Sequence, residues 1–261
     1  MPARVAPDLT GVRVLVTGAA SGIGLAVLRR CHAEGASVAG LDVEGERLEQ
    51  ATADLRVQGD RPIVIAVADV SEPEQVARAV DTVGRTLGGL NALANIAGIG
   101  GYTGDVVSTS LSDWNRTLAV NLTGMFLLSK EVLPLLRAEG EGSIVNVSSQ
   151  YGLVGGAGSP AYVSSKAGVI GLTRAMAVDH APDNVRVNCV CPGPVDTPMF
   201  RADHGDAVHA LREERRTQHR RLLPGIGSPE GIAAAIAFLL GPDAVEITGA
   251  VISLDGGWTV A

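Results

Sequence analysis

Cysteine is scarce: Cys31, Cys189 and Cys191 are the three thiols in 261 residues. Such a set cannot build a paired disulfide framework. Cys189 and Cys191 stand two apart, sharing a strand face without forming a two-residue-gap redox motif. They read as small hydrophobes of a reducing compartment. The histidines (His32, His180, His204, His209, His219) lack ligand spacing, so no metal site is expected. Positive charge is short too. Lys and Arg number 21 against 28 Asp and Glu, a net −7 with pI about 5.2, which argues against nucleic acid as an electrostatic partner. Long apolar runs are missing; those present, such as 232–240, are too short to span a bilayer. No secretory signal is readable, because the first apolar run, at 12–16, leads directly into a glycine-rich motif. The expectation is a cytoplasmic protein with no membrane partner.

Apolar residues make up 46% and charged residues 19%, the balance of a folded domain. Apolar runs alternate with helical patterns. Strands are expected at 12–16, 37–41, 62–67, 90–96, 143–147, 185–190 and 250–254. Helices are expected at 22–33, 44–57, 73–87, onward from Ser110, 161–180, and after Ser228 with Pro229 in the first turn. The Ser110-to-Asp113 spacing fits a capping box. Continuous apolar strands between amphipathic helices make an α/β fold, a doubly wound parallel sheet of about seven strands, Rossmann-like, in a single domain over 1–261.

The first strand runs into Thr17-Gly18-Ala19-Ala20-Ser21-Gly22-Ile23-Gly24. Glycines at a strand-to-helix turn permit a sharp bend and a close approach of backbone to a pyrophosphate. The helix start offers N–H groups and a positive dipole end to the phosphates. Asp42 closes the second strand, where a carboxylate can accept from ribose hydroxyls and repel the extra phosphate of NADP. No base stands at Ser21 or Val43 to neutralise that phosphate, so the expected cofactor is NAD. Tyr162 and Lys166, four apart at a helix start, stack on one face. An ammonium beside a phenol favours the phenolate, which can take a proton from an alcohol as hydride leaves.

Together with Asn121 and Ser149, these motifs resemble the classical short-chain dehydrogenase/reductase family, over nearly the whole chain and in order. Asn95-Ile96-Ala97-Gly98 is similar to the family's Asn-Asn-Ala-Gly element, with Ile96 in place of the second asparagine. Pro192-Gly193 with Val195 and Thr197 is similar to its nicotinamide turn, Asp69-Val70 to its adenine-contacting pair, and Asp255-Gly256-Gly257 to its usual ending. The resemblance implies a catalytic set in which Tyr162 is the general acid/base. Lys166 would hold the nicotinamide ribose and hold down the tyrosine pKa. Ser149, chosen over Ser148 by its spacing to Tyr162, would bond the substrate oxygen. Asn121 would hold a water linking Lys166 to solvent. Gly18, Ser21, Gly22, Ile23 and Gly24 would join the residues of the other motifs around the cofactor. The resemblance also implies a homotetramer or homodimer, with the helices from Ser110 and Ala161 pairing across the subunit interface.

It further implies that the substrate pocket draws on 99–105, 150–160 and a loop-helix at about 198–227. Gln150, Tyr151, Tyr102, Met199 and Phe200 are the pocket candidates there. Arg215 falls on an apolar stripe with Val208, Leu211 and Leu222, where a guanidinium could meet an anionic substrate group. The expected activity is hydride transfer between NAD(H) and a small secondary alcohol or ketone, such as a polyol or hydroxy acid. The alternatives are a 3-oxoacyl-thioester reductase and a non-catalytic NAD-binding sensor.

Overall fold

The computed structural model describes residues 8–57, 61, 63–100, 104–204 and 222–260. The apolar runs become β1 (Arg13–Thr17), β2 (Ser37–Asp42), β3 (Ile63–Val67), β4 (Ala92–Asn95), β5 (Gly142–Val147), β6 (Val185–Pro192) and β7 (Val251–Leu254). They form one sheet in the order β3-β2-β1-β4-β5-β6-β7, and every pairing is parallel. Because both faces are covered, each strand feeds two cores by simple alternation. Val14 and Val16 pack with α1 (Gly22–Ala33) and α8 (Pro229–Leu240) through Val27, Leu28, Ile232 and Ile236. Leu15, between them, turns to the other face. There it meets α3 (Pro73–Leu87), α5 (Gly124–Glu139) and α6 (Pro160–His180) through Val76, Val80, Leu128 and Met176. The remaining α-helices are α2 (Gly45–Val57), α4 (Leu111–Leu118) and α7 (Pro198–His204).

β1 pairs with β2 on one side and β4 on the other. Connections leave these neighbours in opposite directions, which opens a crevice at their carboxyl ends. β4 is shorter than its apolar run, and β6 is longer, because its last residue, Pro192, still pairs with Leu254 of β7.

The helix expected from Ser110 is three segments. Ser110 Oγ caps α4 by accepting from Asp113 N at 3.0 Å. A π-helical turn, Ala119–Thr123, then separates α4 from α5. The continuous stretch Leu111–Glu139 is 29 residues long, with an 18-residue window of hydropathy 1.3. By length and composition it passes for a membrane span, which the expectation of short apolar runs missed. Its apolar character serves the core, where Met125, Leu128, Val132 and Leu136 are buried. At the other end of the chain, Ser228 Oγ caps α8 by accepting from Gly231 N at 3.1 Å, with Pro229 in the first turn as expected.

A polar network lies where β4 and β5 reach the crevice. Asn95 and Asn146 are register partners, and both are fully buried. Asn95 Nδ2 donates to Asn146 Oδ1 (2.9 Å) and Ser129 Oγ (3.1 Å), and Asn146 Nδ2 donates to Thr173 Oγ1 (2.9 Å). These bonds tie two strands to α5 and α6. Asn146→Ala strands part of the Asn95 amide in the core, and urea unfolding should read a loss of about 1–3 kcal/mol.

Candidate active site

A cleft of about 970 Å³ follows the carboxyl ends of the strands. Gly18, Ser21, Gly22, Ile23, Gly24, Asp42, Asp69, Val70, Ala97, Gly98, Ser149, Gln150, Tyr151, Tyr162, Lys166, Pro192, Gly193, Val195, Thr197 and Met199 all line it. Phe200 lines it as well. Asn95 and Asn121 stand behind the wall, fully buried. Arg215 and Tyr102 lie outside the described residues, as does most of the expected loop-helix at 198–227.

At the β1 end the backbone sets the shape. Gly18 has φ +66°, and a Cβ on it would be 3.0 Å from Ala97 Cα. A Cβ on Gly24 would collide with the Gly18 carbonyl. Thr17, which the motif contains but which was assigned no role, pins this turn to β4: its Oγ1 accepts from Ile96 N (2.9 Å) and Ala97 N (3.0 Å). Ile96 therefore contributes its backbone N–H here, and the residue lines the cleft. The Ser21 hydroxyl does not cap α1, so the helix start faces the cleft with a glycine backbone suited to a pyrophosphate. Asp42 is oriented by two backbone donors, Ala20 N (2.9 Å) and Glu44 N (3.0 Å). The residues present thus fit a dinucleotide.

At the β5 end, Lys166 on α6 is buried and donates from Nζ to Val147 O at 3.0 Å. Its Nζ stands 5.7 Å from the Tyr162 ring centroid, as expected for residues four apart on one helix face. Burial disfavours the charged ammonium and pushes the Lys166 pKa down to about 8. Ser148 and Ser149 are separated by their bonds. Ser148 Oγ donates to the Lys166 carbonyl (2.7 Å) and so holds α6 to β5. Ser149 Oγ accepts from Tyr151 N (3.2 Å) and keeps its own proton to donate. Asn121 sits in the π-helical turn. Its Nδ2 donates to Ile99 O (3.0 Å) and Ser165 Oγ (3.2 Å), and its Oδ1 accepts from Ile99 N (2.8 Å). A Cβ on Gly98 would lie 3.1 Å from Asn121 Oδ1 and 3.5 Å from Lys166 Nζ. Glycine keeps the space between amide and ammonium open.

The arrangement is a phenol beside a buried ammonium, one strand away from a glycine-rich turn that fits a dinucleotide. A family model described as enoyl-(acyl carrier protein) reductase matches residues 18–259. The chain is 37% identical over 250 residues to 2-(S)-hydroxypropyl-CoM dehydrogenase 3 of Xanthobacter autotrophicus, covering 94% of this chain and 96% of that protein. It belongs to the short-chain dehydrogenase/reductase family. It is also 36% identical to the 3-oxoacyl-[acyl-carrier-protein] reductase of Thermotoga maritima, over 97% and 99% of the two chains. The crystal structure of levodione reductase superposes with TM-score 0.91 at 33% identity, over 97% and 99%. The protein is accordingly a short-chain alcohol dehydrogenase/ketone reductase, and its family's dehydrogenases use nicotinamide cofactors.

The depressed Lys166 pKa has a thermodynamic consequence. Without cofactor, the folded protein binds this proton less tightly than the unfolded chain, whose lysine titrates near the ordinary 10.5. The unfavourable burial of charge is complete below pH 8 and is relieved as pH rises from 8 to 10.5. Wild-type stability should therefore climb relative to Lys166→Met across that window, by up to about 3 kcal/mol in urea titrations.

Proposed function

We propose that the protein moves hydride between NAD(H) and a small, secondary alcohol or ketone, with Tyr162, Ser149, Lys166 and Asn121 as its catalytic set. The observation that carries this is the buried Lys166 ammonium, 5.7 Å from the Tyr162 ring centroid on the wall that holds Ser149. In oxidation, Ser149 Oγ donates to the substrate oxygen and Tyr162 takes the hydroxyl proton. The Lys166 ammonium favours the phenolate that accepts it. Asn121 Oδ1 and the space at Gly98 hold a water that lets Lys166 exchange protons with solvent. Bound NAD supplies the hydride acceptor. Reduction runs the same proton path backwards.

Gly18, Ser21, Gly22, Ile23 and Gly24 would hold the pyrophosphate. Asp69 and Val70 would flank the adenine, and Asn95, Ala97 and Gly98 would shape the ribose side. Pro192, Gly193, Val195 and Thr197 would seat the nicotinamide. Asp42 supports NAD over NADP, since its carboxylate lines the cleft between the uncharged Val43 and Leu41. Arg47, one turn into α2, is engaged by Glu44 at 2.8 Å. A 3-oxoacyl-thioester reductase is the second reading, favoured by the likeness to the Thermotoga enzyme. Asp42 weighs against it, because most such reductases prefer NADPH. The proposal includes a cytoplasmic location and assembly as a homodimer or homotetramer. Exposed apolar side chains on the α4–α5 and α6 surfaces, Leu111, Phe126 and Val178, support assembly with a second copy.

Tyr162→Phe should cut turnover by about 10²–10⁴ with NADH affinity nearly intact; a variant that retains most activity removes Tyr162 from the mechanism. The double change Asp42→Ala and Val43→Arg should move the kcat/KM preference from NAD toward NADP. Tighter binding of NADPH than NADH by the unmodified protein would overturn the cofactor assignment.

A further inference from the structure

The closing run Asp255-Gly256-Gly257 has no part in the proton path, yet it builds a latched turn beside the cleft. Asp255 follows β7 and is 3% exposed. Its Oδ1 accepts from Gly257 N (2.9 Å), and its Oδ2 accepts from Thr259 N (3.0 Å) and Thr259 Oγ1 (2.6 Å). Both carboxylate oxygens are thus spent on the next four residues, and the chain coils through Trp258–Val260. The turn backs the Pro192-Gly193 segment, where a Cβ on Gly193 would lie 2.8 Å from Asp255 Cα. It also receives the chain returning to α8: Leu223 N donates to Gly256 O at 2.9 Å, and a Cβ on Gly257 would lie 2.8 Å from Leu222 Cδ1.

Held in this way, Trp258 makes a T-shaped contact with Tyr151, the ring centroids 5.9 Å apart and the planes at 89°. That is a favourable arrangement for two aromatic rings. Tyr151 lines the cleft together with Ser149 and Tyr162, whereas Trp258 does not line it. Gly156 also lies against the Tyr151 ring, since a Cβ there would stand 2.9 Å from its Cδ1 and Cε1. Tyr151 N donates to Ser149 Oγ at 3.2 Å. The backbone of Tyr151 is therefore tied to the serine, and its ring to the tryptophan.

We propose that Trp258 is a positioning residue that sets substrate bulk. From behind the cleft it holds the Tyr151 ring in the wall, and so limits the space beside Ser149 to compact secondary alcohols and ketones. This rests on the reading of this end of the cleft as the substrate end. Removing the indole leaves a hollow into which the Tyr151 ring can retreat. Ser149 Oγ keeps its donor, because the N–H of Tyr151 belongs to the Gln150–Gly152 turn and not to the ring. Packing that is lost equally from ground and transition states raises KM and spares kcat.

The test follows NAD-dependent oxidation of cyclohexanol and of menthol, which carries flanking alkyl groups on the same ring. Wild type, Trp258→Ala, Trp258→Phe, Tyr151→Ala and the double Ala variant are compared, with NADH affinity by fluorescence titration. Trp258→Ala should raise the KM for cyclohexanol by about 2- to 10-fold with kcat within about twofold. Its menthol-to-cyclohexanol ratio in kcat/KM should rise by about 10-fold or more. Trp258→Phe, which restores a ring, should return both values most of the way to wild type. The double variant should match Tyr151→Ala, since the indole acts through that ring. NADH affinity should change by less than about twofold in the Trp258 variants. An unchanged ratio in Trp258→Ala overturns the proposal. So do a loss confined to kcat and additive effects in the double variant. If Trp258→Ala does not fold, Trp258→Leu takes its place with the same expected outcomes. Failure of the underlying reading looks different: the wild type then oxidises neither alcohol, and the proposal falls with it.

Discussion

An ammonium removed from water at the carboxyl end of a parallel sheet needs an acceptor, and Lys166 has one. Val147, the last residue of β5, supplies the carbonyl at 3.0 Å. The strand ends there, so this carbonyl is directed at the helix that follows. Ser148 then locks the backbone of that helix turn by donating to the Lys166 carbonyl itself. With the lysine fixed at both ends, the Tyr162 ring one turn earlier can face only the same cleft wall. Burial makes the charge costly, which is why its pKa falls. The same burial strengthens its field at a neighbouring phenol. A surface lysine at the same spacing would be screened and would do little.

The π-helical turn at Ala119–Thr123 answers a second constraint on this site. Asn121 must have its amide out of water yet hold both backbone groups of Ile99, and a regular helix would leave it in an apolar stripe with Leu118, Leu122 and Met125. Widening the turn accommodates that polar contact, a common use of such turns at functional positions. A widened turn shifts the phase of the apolar stripe by one residue, and the expectation of one helix onward from Ser110 did not resolve that shift. The amide on an apolar stripe was its one trace.

What was legible follows the same logic. Helices with proline in the first turn, such as Pro73–Leu87 and Pro160–His180, match their expected limits within a residue. The strands and their parallel order followed from uninterrupted apolar runs. The residues that were missed act through others. Thr17 bonds backbone N–H groups of Ile96 and Ala97, Ser148 bonds a carbonyl, and Asn146 bonds Asn95 and Thr173. None of these carries a pattern of its own. Each lies within one residue of a motif or is a strand partner of one, and only the register of the sheet reveals what it holds.

The two ends of the cleft differ in how strictly their residues are dictated. The dinucleotide end works through backbone: Gly18 must turn left-handed, Gly24 must clear a carbonyl, and Gly98 must leave a gap between Asn121 and Lys166. Such demands admit one residue type at a fixed place, so they are written as motifs. The proposed substrate end works through surface. Tyr151, Met199 and Phe200 make an apolar wall that many side chains could make equally well, and walls of that kind leave no motif. Among the described residues of 150–159 and 193–200, the buried amide oxygen of Gln150 is the one left without a donor. A cleft can be apolar for many reasons. A polar atom kept inside it against its own desolvation cost has fewer.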